Sequence, residues 1–237
     1  MMQMEFERRI TLMNPDFELK EKLSSDTIFS FLNAYTLRYI RDNYLLEDQV
    51  GDNTRAQKKN ADALKGLITR VQLDVIADDE NTDQFTVRTE LPDDYFLYIR
   101  SNSVLSKNYK LEKEITDPKN WVVTTNKTIR EDDVLKIIST YYNKAIMLNP
   151  YVVLNNGNNA DANKKLYLNV LHDEYTKVKK VDLVYYRKPK RFDVIGVDNE
   201  NILDRCELPE NVHMEIVEGA VEMFITEARY RLNMKQS

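Results

Sequence analysis

The chain has 237 residues, of which 42% are hydrophobic and 31% charged, and its formal net charge is −5. These values are ordinary for a soluble globular protein, and the length suits one large domain or two small ones. The net charge is too small to predict a class of partner. The single cysteine, Cys206, excludes an internal disulfide and a thiolate zinc site and fits a reducing compartment.

The first residues, MMQMEFERRITLMNPDF, contain no uninterrupted apolar core, and no stretch approaches the roughly 18 apolar residues that cross a bilayer. We therefore expect a protein made in a cytoplasm, with no signal peptide and no membrane partner. Only five glycines are present, which argues against phosphate-binding loops. Fourteen tyrosines suit either protein interfaces or strand-rich packing.

The spacing of apolar residues predicts a helix over residues 24–46, because Ser25 or Asp26 can cap its first turn. Its apolar stripe has three- and four-residue spacing and consists of Ile28, Phe31, Leu32, Tyr35, Tyr39 and Ile40. A weaker stripe predicts a second helix over residues 54–70. Residues 78–83 are predicted to form a polar turn and residues 155–163 an exposed loop.

Alternating and β-branched residues predict a strand-rich middle of the chain. The predicted strands cover residues 71–76, 84–92, 95–105, 121–129, 165–171 and 178–189. The last two are expected to form a hairpin or to lie side by side. A short helix is predicted over residues 131–148.

The clearest element is a helix beginning near Pro209, where a missing N–H costs nothing. Its stripe consists of Val212, Ile216, Ala220, Met223, Phe224, Ala228 and Leu232. We therefore predict an α+β fold in which the N- and C-terminal helices form a helical bundle core and a β-rich region is inserted into it. The three parts would be residues 1–72, 73–204 and 205–237, the last completing the core.

The sequence offers no catalytic or metal-binding constellation. His172 and His213 lack metal-ligand spacing, and nothing orients a Cys206–His213 dyad. The acidic clusters at residues 78–80, 93–94 and 131–133 lie at element boundaries and do not match a calcium loop. Phosphate-loop, dinucleotide and nucleophile-elbow motifs are absent. We therefore predict a protein that is not an enzyme and needs no cofactor.

Residues 177–191 carry seven basic residues against one acidic residue. The basic residues are Lys177, Lys179, Lys180, Arg187, Lys188, Lys190 and Arg191. Neighbouring aromatic residues are Tyr175, Tyr185, Tyr186 and Phe192. Such a stretch can grip a nucleic-acid backbone. It can also be an exposed strand edge protected by lysines, or a basic face that meets an acidic neighbouring subunit, and we favour these readings.

Two distant stretches resemble a known family. Residues 181–195, VDLVYYRKPKRFDVI, followed after a spacer by CELPENVHMEIVEGAVEMFITEARYRL, resemble the C-terminal half of the head-to-tail connector proteins of tailed bacteriophages. Residues 24–45, SSDTIFSFLNAYTLRYIRDNYL, resemble their opening helix. The matched segments cover about a quarter of the chain and look most like the ring (adaptor) proteins of crAss-like phages of Bacteroidetes.

The resemblance implies a structural virion protein that forms a closed, twelve-fold homo-oligomeric ring below the portal. It further implies contacts with the portal and other tail ring or hub proteins, non-specific contact with duplex DNA in the lumen, and assembly in the host cytoplasm. The candidate interface or channel residues are Tyr185, Tyr186, Arg187, Lys188, Lys190, Arg191, Lys177, Lys179 and Lys180. The alternative is a basic-patch nucleic-acid-binding module that is not part of a ring.

Overall fold

The computed structural model describes residues 2–13, 23–49, 62–76, 86–107, 121–139, 150–156, 165–173, 176–192 and 206–236. The chain divides into two compact units, which we call the helical unit (Met1–Leu67 with Lys188–Ser237) and the sheet unit (Ile68–Arg187). The helical unit contains α1 (Met2–Met13), α2 (Ser25–Gln49), a 3-10 turn (Lys65–Leu67) and α4 (Glu210–Gln236). The sheet unit contains β1 (Ile68–Ile76), β2 (Thr86–Glu90), β3 (Tyr95–Lys107), β4 (Trp121–Thr125), β5 (Lys127–Thr128), α3 (Glu131–Ser139), β6 (Tyr151–Asn156), β7 (Leu166–Leu171) and β8 (Thr176–Arg187).

The helical unit is centred on Phe224 of α4. Its ring meets Phe6 of α1 edge-on at 6.1 Å between centroids and Phe31 of α2 at 5.4 Å. An ion pair between Arg9 and Glu218 also joins α1 to α4. The apolar side chains buried in this unit include Ile10, Ile28, Leu32, Ile40, Leu64, Val212, Ile216, Ala220 and Val221. Burial of this many apolar side chains is what holds three helices of modest intrinsic stability together.

Helix α2 begins at Ser25, and its cap lies one residue earlier than predicted. The hydroxyl of Ser24 accepts from the backbone N–H of Thr27 at 3.2 Å, and the Ser24 carbonyl accepts from the N–H of Ile28. A serine side chain at this position satisfies one of the orphan N–H groups of the first turn. Ser24, and not Ser25 or Asp26, is therefore the cap.

The eight strands form one sheet in the order β4-β3-β8-β1-β2-β7-β6-β5. All pairs are antiparallel except β5 with β6, which is parallel. The sheet has its own apolar core, built from Leu73, Leu91, Tyr95, Tyr98, Leu105, Val152, Leu168, Val170, Val178, Val181, Leu183 and Tyr185. Side chains alternate between the two faces along each strand, so these residues lie on one face of the sheet and bury one another there.

The sheet is nearly closed, and the chain closes it at Asn126. Before this residue β4 pairs with β3, and after it β5 pairs with β6 at the far end of the strand order. The backbone N–H of Asn126 donates to the Ser101 carbonyl at 3.0 Å, whereas that of Lys127 donates to the Pro150 carbonyl at 2.9 Å. The buried Asn126 side chain also donates from Nδ2 to Ser101 Oγ at 2.8 Å. One continuous segment thus supplies the strands at both ends of the strand order, β4 and β5.

The predicted helical bundle core with an inserted β-rich region is wrong. The dominant element is the eight-stranded, nearly closed, barrel-like sheet with a core of its own. The helical stripes were the strongest periodic signals in the sequence, which led the β-rich region to be read as an attachment to a helical core. Its alternating positions instead bury one another within the sheet.

Other local predictions were also wrong. Strands β7 and β8 do not pair with each other: β7 pairs with β2 and β6, and β8 pairs with β1 and β3. The helix predicted over residues 54–70 does not extend to residue 70, because β1 begins at Ile68. Helix α1 was not predicted, since it buries only Phe6 and Ile10. Residues 54–61, 78–83, 140–148 and 157–163 lie outside the described residues.

We predict that Asn126→Ala lowers the free energy of unfolding of the sheet unit by about 1–3 kcal/mol, because it removes a buried hydrogen bond at the point of closure. The sole tryptophan, Trp121, lies in β4, so urea denaturation followed by its fluorescence reports on this region. The matched control is Thr125→Ala at the neighbouring exposed position, which should change stability by about 0.5 kcal/mol or less. Equal effects of the two substitutions would contradict a special role for Asn126.

Candidate interaction surfaces

Residues 177–187 of the basic stretch lie on β8, which has a neighbouring strand on each side in the strand order. Its register places Lys180 opposite Asp74 of β1 on one side and Val104 of β3 on the other. Between Lys180 and Tyr186 both sides of β8 carry hydrogen-bonded neighbours, so the interpretation of the stretch as an exposed strand edge is wrong for this part. Lys177 and Lys179 lie before the residues that pair with β1, and there β8 pairs with β3 alone. Lys180, which has neighbours on both sides, does not serve to block edge pairing.

The lysines of β8 differ in their surroundings. Lys177 is exposed, whereas Lys179 is half-buried at a β-bulge, where β3 pairs successively with Val178 and Lys180. Burial, with the nearby charge of Lys177, lowers the pKa of Lys179 below its usual value. The Lys180 ammonium donates to Gln72 Oε1 at 2.8 Å. Gln72 Nε2 in turn donates to an oxygen of Asp182 at 2.8 Å, so acidic and basic groups share this face.

Three of the four aromatic residues named with the stretch are buried, and the fourth, Tyr175, lies outside the described residues. Tyr185 and Tyr186 are 2% and 3% exposed, and Phe192 is 7% exposed. The Tyr185 hydroxyl donates to Asp94 Oδ1 at 2.7 Å, and its ring lies 5.7 Å from that of Tyr95. These rings are packing residues within the chain and are not available for stacking on nucleic-acid bases.

The basic residues do not form one cluster. Lys180 and Arg187 are seven residues apart on an extended strand, which separates them by about 20 Å. The remaining three, Lys188, Lys190 and Arg191, belong to the helical unit. The structure therefore divides the stretch into a group at the start of β8, a single arginine at its end, and a short segment beyond it.

That short segment, residues 188–191, is held at two points. The backbone N–H of Lys190 donates to Glu207 Oε2 at 2.9 Å. Just beyond it, Asn33 of α2 and the backbone of Phe192 exchange two hydrogen bonds, of 2.8 and 2.9 Å. The Phe192 ring stacks on Phe29 of α2 at 6.4 Å between centroids. We call residues 188–191 the basic segment; its side chains at 188, 190 and 191 are exposed.

A groove of about 560 Å³ runs between α2 and α4. At its base the Tyr35 ring lies directly over Gly219, where a Cβ atom would be 1.8 Å from Tyr35 Cζ. The lining residues are Phe31, Tyr35, Arg38, Gly219, Glu222, Met223, Thr226, Glu227 and Tyr230. This groove was not predicted from the sequence. The one available signal was a glycine inside a strong helical pattern, which indicates a close approach of another group.

The groove is acidic. Burial raises the pKa of Tyr35, and the charge of Glu215 adds to this, with smaller effects of the same sign from Glu222 and Asp42. Arg38 acts in the opposite direction, but its Nε lies 3.4 Å from an oxygen of Asp42. Among the residues that line the groove, Glu222 and Glu227 are the acidic ones and Arg38 is the basic one. Glu227 also has an interaction within the chain.

The histidines and the cysteine have local structural partners. A ring nitrogen of His213 lies 2.7 Å from the Leu208 carbonyl, and one of His172 lies 2.8 Å from the Asp173 carbonyl. Burial raises the pKa of the Cys206 thiol, which opposes the thiolate that a nucleophile needs. Within the described ranges, no group of three or more His, Cys, Asp or Glu side chains is arranged to hold a metal ion.

Two of the three acidic clusters in the sequence have an identifiable structural role. Asp94 accepts the hydrogen bond from Tyr185. Residues 131–133 form the first turn of α3, where carboxylates interact favourably with the helix dipole. The cluster at residues 78–80 lies outside the described residues.

No known protein-family model and no curated protein matches the chain. Of the helices in the described part of the chain, none combines the length and the apolar character that crossing a membrane requires.

We predict that the Tyr185 hydroxyl loses its proton only near pH 12. Burial and the hydrogen bond to Asp94 raise its pKa from the ordinary value of 10.0 to about 12. The folded state therefore holds this proton more tightly than the unfolded state. Its contribution to stability is complete below pH 10 and is lost as the pH rises towards 12. Absorbance titration of wild type minus Tyr185→Phe should show a tyrosinate component centred near pH 12; a component centred near pH 10 would contradict this.

We predict that the effect of Gly219→Ala changes sign with the residue at position 35. In the wild type the new Cβ displaces the Tyr35 ring, which outweighs the gain in helix propensity and lowers stability. In a Tyr35→Ala background the same change should stabilise the protein by about 0.5–1 kcal/mol, the usual advantage of alanine over glycine in a helix. Thermal denaturation of the four proteins gives the coupling energy. Equal effects in both backgrounds would show that the two residues do not interact.

Proposed function

We propose that this chain is a structural subunit of a closed ring in the head-to-tail connector of a tailed bacteriophage, as its resemblance implies. The ring would lie below the portal in the virion, contact the portal and other tail ring or hub proteins, and let DNA pass through its lumen. The observation that carries this proposal is the meeting of the two resembling stretches. Helix α2 packs against α4, and the residues after β8 are fastened to α2 through Asn33 and Phe192.

A ring subunit needs two unlike surfaces that bind each other in a repeating, closing arrangement. The helical unit carries surfaces of opposite charge: the basic segment and the acidic groove. The basic residues of β8 (Lys177, Lys179, Lys180 and Arg187) are candidates for non-specific contact with duplex DNA. Binding of this kind involves no reaction step and no cofactor.

The alternative of an independent nucleic-acid-binding module has weaker support. The tyrosines that would stack on bases are packed inside the sheet, and Lys180 shares its face with Asp182 through Gln72. The basic residues are also spread along about 30 Å of strand, which suits scattered phosphate contacts better than a compact binding patch.

The proposal is tested by imaging an intact particle that contains this chain. We expect copies of the chain to form a closed, twelve-fold ring around the DNA channel next to the portal. Labelling the chain with a small fused tag provides an independent marker of its place in the particle. Copies found outside the connector, or present singly and not in a ring, would refute the proposal.

A further inference from the structure

The basic segment and the acidic groove lie on opposite sides of α2. Phe29 and Asn33, which hold the residue after the basic segment, are four residues apart and share one side of the helix. Phe31, Tyr35 and Arg38 line the groove. Because an α-helix turns about 100° per residue, the centres of these two sets are about 180° apart around the helix axis. One copy therefore cannot place its own basic segment in its own groove.

We propose that the groove between α2 and α4 binds the basic segment of a second copy of this chain. This contact rests on the proposed ring function and specifies how neighbouring subunits would meet. It is head-to-tail, because each copy presents the groove on one side and the basic segment on the other. Repetition of such a contact gives a closed ring when the rotation between copies closes.

The chemistry of the two surfaces is complementary. The groove offers the carboxylate of Glu222, with Glu215 close by, and the segment offers the exposed cations of Lys190 and Arg191. Aromatic side chains complete the groove, and Tyr230 is 61% exposed there. A guanidinium can pair with a carboxylate and lie on an aromatic ring at the same time, which favours arginine at such a site.

The basic segment is already held in one conformation before it binds. Pro189 fixes its own backbone φ angle. Glu207 binds the N–H of Lys190, and Asn33 binds both backbone polar groups of Phe192. A segment fixed in this way loses little conformational entropy on association, so that more of the contact energy appears as affinity.

Two variants, each defective on one surface, test this contact. Glu222→Lys with Glu215→Lys reverses the charge of the groove, and Lys190→Glu with Arg191→Glu reverses the charge of the segment. Each variant alone should self-associate at least about tenfold more weakly than the wild type in sedimentation velocity at low salt, because like charges then face each other. An equimolar mixture should regain association with the two variants alternating, because the native segment of one variant meets the native groove of the other and the two reversed surfaces are also complementary.

The chain with all four charges reversed should regain self-association, since the reversed surfaces are again complementary. Lys127→Glu with Arg130→Glu, at exposed positions of the sheet unit, is the matched control and should behave as the wild type. The contact is refuted if the mixture does not associate up to the highest soluble concentration, or if the single-surface variants associate as well as the wild type. A ring seen in the particle with other surfaces in contact would refute this contact but leave the ring proposal standing.

Discussion

The sheet unit depends on the closure of its strand order at Asn126. An open eight-stranded sheet would leave unpaired N–H and C=O groups along both outer strands, and such edges recruit other chains. Here the segment 121–128 pairs with β3 before Asn126 and with β6 after it. The Asn126 side chain holds the crossing point by its bond to Ser101, whose hydroxyl also lies 3.0 Å from the Tyr98 hydroxyl. A small buried polar cluster thus fixes the point at which the strand order closes.

The helical unit depends on a different constraint, the close approach of α2 and α4. Phe224 fills the space between three helices, and the absence of a side chain at Gly219 lets the Tyr35 ring lie on α4. A glycine inside a helix costs about 1 kcal/mol of helix propensity, which the packing of the ring offsets. The same arrangement shapes the groove beside Tyr35. The feature that joins the helices therefore also creates the surface to which we assign a partner.

The sequence predicted individual helices and strands better than it predicted how the strands are arranged in the sheet. The stripes of α2 and α4 were strong because an amphipathic helix repeats its apolar residues over many turns, and most strands were found from alternation. The order of strands was missed because β8, the last strand in sequence, lies between β1 and β3, and no local pattern encodes such a long-range pairing. The basic stretch was conspicuous in sequence. Its division between two units, and the burial of Tyr185 and Tyr186, depend on tertiary packing that charge counting does not detect.

The position of β8 has a consequence for how the chain reaches its folded state. Residues 68–74 of β1 pair with residues 180–186 of β8, more than a hundred residues later in the sequence. During synthesis β1 and β3 are therefore made long before the strand that separates them. The sheet has no centre until β8 inserts, so its contacts are mostly non-local and its folding is expected to be slow. Apolar strand faces remain uncovered during this interval, and we expect chaperones to bind the unfinished sheet chiefly then.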